Sequence, residues 1–217
     1  MGSSFPGSPP TLRGAIVAVE ATSPSTRVVV FQYNPEQVTR SLAPRGGESG
    51  QRSADVHRAW GAPTESVSMT VEIDAADQLA DGNPVAVSTG ILPQLSVLEM
   101  LMHPGSVRVI ANSALLAAGT IEVLPIETPM AVLVWGPTRI LPVKLTTLEI
   151  TEEAFDPALN PIRATIDVQA QVLTYDDLPL TDAGYGIYLA HLVIKEALAG
   201  VGSAAGVASA FGDLAGA

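Results

Sequence analysis

Hydrophobic and polar positions alternate most regularly over residues 162–172, and this stretch predicts the best-defined element of the chain. Aliphatic side chains fall on one parity and polar or charged side chains on the other. The polar positions are Arg163, Thr165, Asp167, Gln169 and Gln171. Strict alternation at a period of two predicts a β-strand with one buried face and one face in water.

A second long strand is predicted just before it, over residues 140–150. Its apolar positions are Leu141, Val143 and Leu145 on one parity, then Leu148 and Ile150 on the other. A change of parity within a strand indicates a β-bulge or a bend. Residues 151–161 between the two strands contain an Asp-Pro and an Asn-Pro step, which are turn signals. We therefore expect a long antiparallel hairpin.

Shorter runs predict further strands. β-Branched segments at 14–20 and 27–33, separated by a Ser/Pro-containing turn, are typical of a second hairpin, and residues 66–74 alternate as another strand. Two short strands are predicted at 107–110 and 120–124. The antiparallel pattern as a whole favours a mainly β fold, either a barrel or a strongly twisted sheet.

Two segments predict helices. Residues 91–103 carry apolar side chains at helical spacing and end at Pro104-Gly105, and residues 187–198 predict a short C-terminal helix. His103 would cap the end of the first helix. The Ala/Gly-rich residues 199–217, which follow the C-terminal helix, are interpreted either as disordered or as a helix docking on a partner subunit. Their uncharged run is too short for a membrane span.

These elements predict three regions along the chain. The expected arrangement is a flexible leader at 1–12, a β domain at 13–175, and a C-terminal helix and tail at 176–217. Within the β domain, residues 43–56 predict a long loop, interpreted as an assembly arm.

Composition narrows the function. The chain of 217 residues has a net charge of −11, which argues against binding to nucleic acid or to an anionic membrane surface. It contains no cysteine, so disulfides and cysteine metal sites are excluded. The N-terminal residues lack the features of a signal peptide, which makes the cytoplasm the expected location.

The candidate chemistry favours a non-catalytic protein. The three histidines do not have metal-ligand spacing, and residues 74–83 do not follow the register of a calcium loop, so they predict an acidic turn and a helix cap. Glu152 and Glu153 are adjacent and would point to opposite faces of a strand. Nucleophile and phosphate-loop motifs are missing from the sequence. We expect no enzymatic activity, cofactor or metal.

Several short motifs, taken in order, resemble the N-terminal tube-type domain of baseplate proteins from contractile injection systems, which are phage-tail-like assemblies. The early motif is Phe31-Gln32-Tyr33-Asn34-Pro35-Glu36 followed by Arg40. The later ones are Trp135-Gly136, Pro142-Val143, Phe155-Asp156-Pro157 and Pro161-Ile162-Arg163-Ala164. The resemblance covers roughly residues 10–175. Members of this family usually carry a C-terminal LysM-type module, and residues 176–217 are too short and too rich in Ala and Gly to form one.

The resemblance implies a tail-tube-like β-barrel with one flanking α-helix and a short C-terminal helix. It implies a homo-hexameric ring that contacts spike, inner-tube and baseplate wedge proteins in a cytoplasmic particle and starts the inner tube. Candidate interface or channel residues are Tyr33, Asn34, Pro35, Trp135, Phe155, Arg163, Asp167, Gln169 and Gln171. Trp135 and Phe155 are expected to anchor the base of the hairpin, in the core or at an interface. The alternative is a free-standing β-barrel module that binds a ligand or a peptide.

Overall fold

In a computed structural model of the protein, residues 12–19, 27–45, 60–119 and 130–215 are described. They form five helices and seven strands, and the strands make one antiparallel sheet. The strands are β1 Ala15–Val19, β2 Arg27–Val30, β3 Val38–Ala43, β4 Thr64–Asp74, β5 Met130–Val134, β6 Ile140–Phe155 and β7 Pro161–Val172. The helices are α1 Ala76–Ala80, α2 Pro84–Thr89, α3 Leu92–Glu99, α4 Ser106–Ala117 and α5 Ala183–Ala215.

The strand order is β2-β1-β5-β6-β7-β4-β3, with every neighbouring pair antiparallel. This confirms a mainly β fold, although the expected barrel is not confirmed because the sheet does not close. Within the described segments, β2 and β3 are its two edges. Alternation shows which face of a strand is buried, but it does not show whether the first and last strands meet.

The long hairpin is confirmed as β6 and β7. Their register shifts between Leu145 and Thr147, where the change of parity predicted a bulge. The bulge returns Leu148 to the apolar side, opposite Val168. The β1–β2 hairpin and the β4 strand are also confirmed.

One side of the sheet, which we call the inner face, carries the core. Its buried side chains come from all the long strands and include Val67, Val71, Leu141, Val143, Ile166 and Val168. The helix α3 adds Leu95 and Leu98 to the same cluster, and α5 adds Tyr188. Aliphatic burial on this scale supplies the main folding free energy of a domain poor in aromatic residues.

The helices differ most from the sequence predictions. Residues 107–110 were predicted as a strand, which is wrong, because they lie in α4. Only one flanking helix was expected, whereas α1 to α4 all precede β5. The C-terminal helix is confirmed but runs to Ala215 instead of ending at 198. The predicted leader, the strand at 120–124 and most of the 43–56 loop lie outside the described residues.

An ion pair with additional hydrogen bonds holds the segment between β7 and α5 in place. Arg45 Nη2 donates to Asp177 Oδ1 at 2.6 Å, and the main chain and hydroxyl of Thr174 donate to Asp177 Oδ2 at 2.9 and 2.7 Å. Burial alone would raise the pKa of Asp177, but the hydrogen bonds from Arg45 and Thr174 outweigh it and lower this pKa below its ordinary value.

We expect Asp177→Asn to destabilise the protein by about 1–2 kcal/mol at neutral pH, because these charge-assisted hydrogen bonds weaken. The contribution of Asp177 is present above its ordinary pKa of about 3.9 and is lost as the pH falls through its lower folded value. Urea denaturation of both proteins from pH 7 to pH 2 tests this. A difference between them that persists undiminished in strong acid would contradict the prediction.

Candidate assembly surfaces

The side of the sheet opposite the core, which we call the outer face, is polar across β6, β7, β4 and β3. Along the register, its positions are Lys144, Thr147, Glu149, Thr151 and Glu153 on β6 and Arg163, Thr165, Asp167, Gln169 and Gln171 on β7. They continue as Ser66, Ser68, Thr70, Glu72 and Asp74 on β4 and Thr39, Ser41 and Ala43 on β3. The predicted candidates on β7 therefore share one surface.

Hydrogen bonds and charges order this surface. Thr70 Oγ1 donates to Asp167 Oδ1 at 2.5 Å, and Arg163 Nε donates to Asp74 Oδ2 at 2.9 Å. Glu149 lies directly opposite Asp167 in the register. Like charges facing each other across strands weaken a sheet, and Thr70 partly offsets this by its hydrogen bond to Asp167.

The early aromatic motif borders the same surface. Tyr33 and Pro35 line a depression of about 570 Å³ together with Thr70 and Glu72 of the outer face. Asn34 has a structural role, because its Oδ1 accepts a hydrogen bond from the Gly14 main chain at 2.9 Å and its Nδ2 donates to the Leu12 carbonyl at 2.7 Å. These bonds tie the end of β2 to the start of β1.

Trp135 lies in the turn between β5 and β6, just before the long hairpin, and its role as an anchor stays a prediction. Its ring is half-buried and packs against Phe31 with the ring centroids 6.3 Å apart. A Cβ on Gly14 would lie 2.7 Å from Phe31 and 2.8 Å from Trp135. The two rings therefore close over a position that has space only for glycine.

Gly14→Ala is expected to reduce stability by about 1–2 kcal/mol, because the added methyl group overpacks the ring pair. Thermal unfolding followed by near-ultraviolet circular dichroism would report both the stability and the ring environment. An unchanged melting temperature with an unchanged aromatic signal would contradict this packing.

Phe155 lies at the tip of the hairpin, not at its base, and is 51% exposed. It therefore does not anchor the core, and its role at an interface stays a prediction. Ala154 and Leu159 have left-handed backbone angles, with φ of 53° and 66°. Asn160 donates its main-chain and side-chain N–H groups to Asp156 at 2.8 Å, and these bonds lower the pKa of Asp156. The tip is thus a fixed turn that presents an aromatic ring.

The edges of the sheet expose aliphatic side chains. Val28 and Val30 of β2 are 50% and 54% exposed, and Leu42 of β3 is 50% exposed. Neither edge strand contains a proline or an acidic residue. Such edges are open to pairing with another chain.

Two features were missed by the sequence analysis. Glu65 is buried under α5 and pairs with Arg40 and Lys195, although alternation along β4 shows only that position 65 faces inward. The helix α4 has no buried residue and exposes Val107 and Ile110, because its aliphatic positions find no partner in the part of the chain that the structure covers.

The predicted cap by His103 agrees with the structure, whereas residues 74–83, predicted as an acidic turn and a helix cap, form the short helix α1 as well as the cap of α2. His103 Nδ1 lies 2.9 Å from the Glu99 carbonyl in the last turn before Pro104. Asn83 caps α2 by accepting from the Val85 and Ala86 main chains. Across the described ranges we find no group of three or more His, Asp or Glu side chains arranged to hold a metal ion.

None of the helices in the described segments is long and apolar enough to cross a membrane. Comparison of the chain with protein-family models and with curated protein sequences gives no match. The surfaces of the protein and the resemblance carried by its motifs are the features that bear on its function.

Proposed function

We propose that this protein is a structural subunit of a contractile injection system, forming a ring at the junction of baseplate and inner tube. In this role it binds copies of itself and neighbouring spike, tube and wedge proteins, and performs no chemistry. The motifs that resemble the tube-type domain support the family, and the arrangement of the sheet supports the role.

The observation that carries the proposal is the polar outer face. Between Lys144 and Glu153 of β6, between Arg163 and Gln171 of β7, and along β4 and β3, it presents hydroxyl, amide and charged side chains and no large apolar one. β7 has 12 residues, which corresponds to roughly 40 Å of strand. A wall of this kind suits the lining of a channel, because passing cargo finds no apolar patch to which it would adhere.

The two open edges support a ring. A strand edge that pairs with the neighbouring copy satisfies its free main-chain groups and buries its exposed aliphatic side chains. β2 and β3 differ in sequence, so a contact between them is head-to-tail and closes only as a ring or continues as a filament. In a ring closed in this way, the tail-tube-like barrel is formed by several copies together.

The test is whether the chain co-sediments with high-mass particles from a native lysate, with its copy number per particle taken by quantitative mass spectrometry. About six copies beside abundant sheath and tube subunits are expected for one closed ring. Hundreds of copies would make it a tube subunit instead. Recovery only as a soluble monomer would overturn the assembly role.

One observation favours the alternative of a binding module. A groove of about 620 Å³ runs between β2 and the helices α1 and α3, lined by Val28, Val30, Tyr33 and Val97 among others. This volume is within the range of small-molecule sites. The alternative predicts a monodisperse monomer that binds the apolar dye ANS and loses this binding in Val97→Asp. Dye binding that is unchanged in this variant would exclude the groove.

A further inference from the structure

A buried charge cluster joins α5 to the sheet. Glu65 of β4 is only 3% exposed, and its Oε1 accepts from Arg40 Nε of β3 at 2.7 Å. Its Oε2 accepts from Lys195 Nζ of α5 at 3.2 Å. One carboxylate thus connects two strands and the helix, and it lies where the helix covers the inner face.

His191 lies beside this cluster, one turn before Lys195 on the same side of α5. It is 6% exposed, and no group in the described part of the protein meets hydrogen-bond geometry with either ring nitrogen. The main chain of Thr138 favours the protonated ring, but only weakly compared with the effect of burial. A polar ring buried without partners has an energetic cost, and a charged one has a much larger cost. The docked position therefore disfavours protonation of this imidazole.

Some groups around His191 lower its pKa and others raise it. Burial is the largest effect that lowers the pKa of His191, and the cations Lys195 and Arg40 lower it further. Glu65 and the Thr138 main chain partly oppose them. Tyr188, one turn earlier on the helix, is neutral in this pH range because the pKa of a tyrosine is ordinarily about 10, and burial raises it further.

We propose that His191 makes the docking of α5 on the inner face an acid-sensitive latch, in which protonation of the buried imidazole releases the helix. In the docked state an imidazolium would add a third cation next to a single carboxylate. In the released state the same ring is solvated by water. Release exposes Tyr188 and the aliphatic surface beneath it. The proposal stands independently of the assembly role, since it concerns the isolated chain.

The direction of the effect follows from linkage. A released His191 titrates near its ordinary value of about 6.5, whereas the docked one resists protonation. Docking is therefore favoured above pH 6.5 and weakens as the pH falls below this value. Between pH 7.5 and pH 5.5 the ratio of released to docked helix is expected to rise by up to about tenfold.

Because the natural chain has no cysteine, two introduced cysteines accept spin labels specifically. We place labels at Ser203→Cys on α5 and Ser41→Cys on β3, dilute the labelled protein with unlabelled protein, and measure distances by pulsed electron resonance across this pH range. The population at longer distances should grow in acid. It should stay constant in His191→Leu and grow as usual in His103→Leu, the matched change at an exposed histidine.

A His191→Leu protein that still releases its helix in acid overturns the proposal. The nearest rival explanation is that protonation of Glu65, and not of His191, releases the helix. In that case the acid release would vanish in Glu65→Gln and persist in His191→Leu. If His191→Leu does not fold, the latch is tested in the wild-type protein by following the titration of the His191 imidazole with NMR. A docked His191 that titrates at or above about 6.5 excludes the latch.

Discussion

Replacing Gly90 with alanine is expected to lower the free energy of unfolding by about 3–5 kcal/mol. Gly90 ends α2 with φ of +56° and ψ of −131°, a backbone conformation essentially limited to glycine that costs an alanine roughly 1–3 kcal/mol. A Cβ there would lie 2.1 Å from the Pro161 carbonyl oxygen. The same oxygen accepts a hydrogen bond from the Ile91 main chain at 2.9 Å. Relieving the clash therefore moves the start of β7 and strains that bond, which adds overpacking to the conformational cost.

Gly82→Ala is the matched control. Gly82 also has a left-handed φ, +66°, but a Cβ on it would meet no atom within 4 Å. We expect it to cost only about 1 kcal/mol, the conformational term alone. Urea denaturation of the two variants measures the difference directly. Equal losses would show that the contact between α2 and β7 is not as close as the structure has it.

The sequence could not reveal Gly90 as special, because the constraint comes from Pro161, which is distant along the chain. What it did reveal was local. Alternation over 162–172 predicted β7 and its two faces, and the parity change after Leu145 predicted the bulge. Both features follow from a side-chain period of two, which depends only on neighbouring positions.

Short windows were less informative. Val107, Val109 and Ile110 have high β propensity, and four residues are too few to separate a strand from a helix. The following residues, Ala-rich and with Leu115 and Leu116, extend the segment into α4. Among the candidate site residues, Arg163, Asp167, Gln169 and Gln171 were predicted together on one wet face, whereas the exposed position of Phe155 depends on the turn at Asp156.

The exposed apolar side chains and the repelling pair on the outer face have a common consequence. Three features each raise the free energy of the isolated folded chain. They are Glu149 opposite Asp167, the open β2 edge and the exposed aliphatic side chains of α4. A partner surface at the edges or along the helix would offset these costs. The proposed assembly role would account for these features of the described residues.

The β2 edge provides the sharpest test of that role. We expect the double variant Val28→Lys, Val30→Lys to lower incorporation into particles by about 100-fold. Each lysine would be desolvated where β2 meets a neighbouring copy, and about 2.7 kcal/mol per interface gives that factor. The monomer should stay within about 1 kcal/mol of wild type, because both side chains are half exposed.

Val107→Lys, Ile110→Lys on α4 is the control, because it converts two exposed aliphatic side chains in the same way but away from the sheet edges. Incorporation is measured by co-expressing each tagged variant with the wild-type chain and comparing their ratio in purified particles with that in the lysate. Loss confined to the β2 variant supports pairing of edges. An equal loss in both variants would mean that assembly responds to exposed apolar surface in general. It would contradict a ring closed through β2, because only pairing through a strand edge depends on where the charges are introduced.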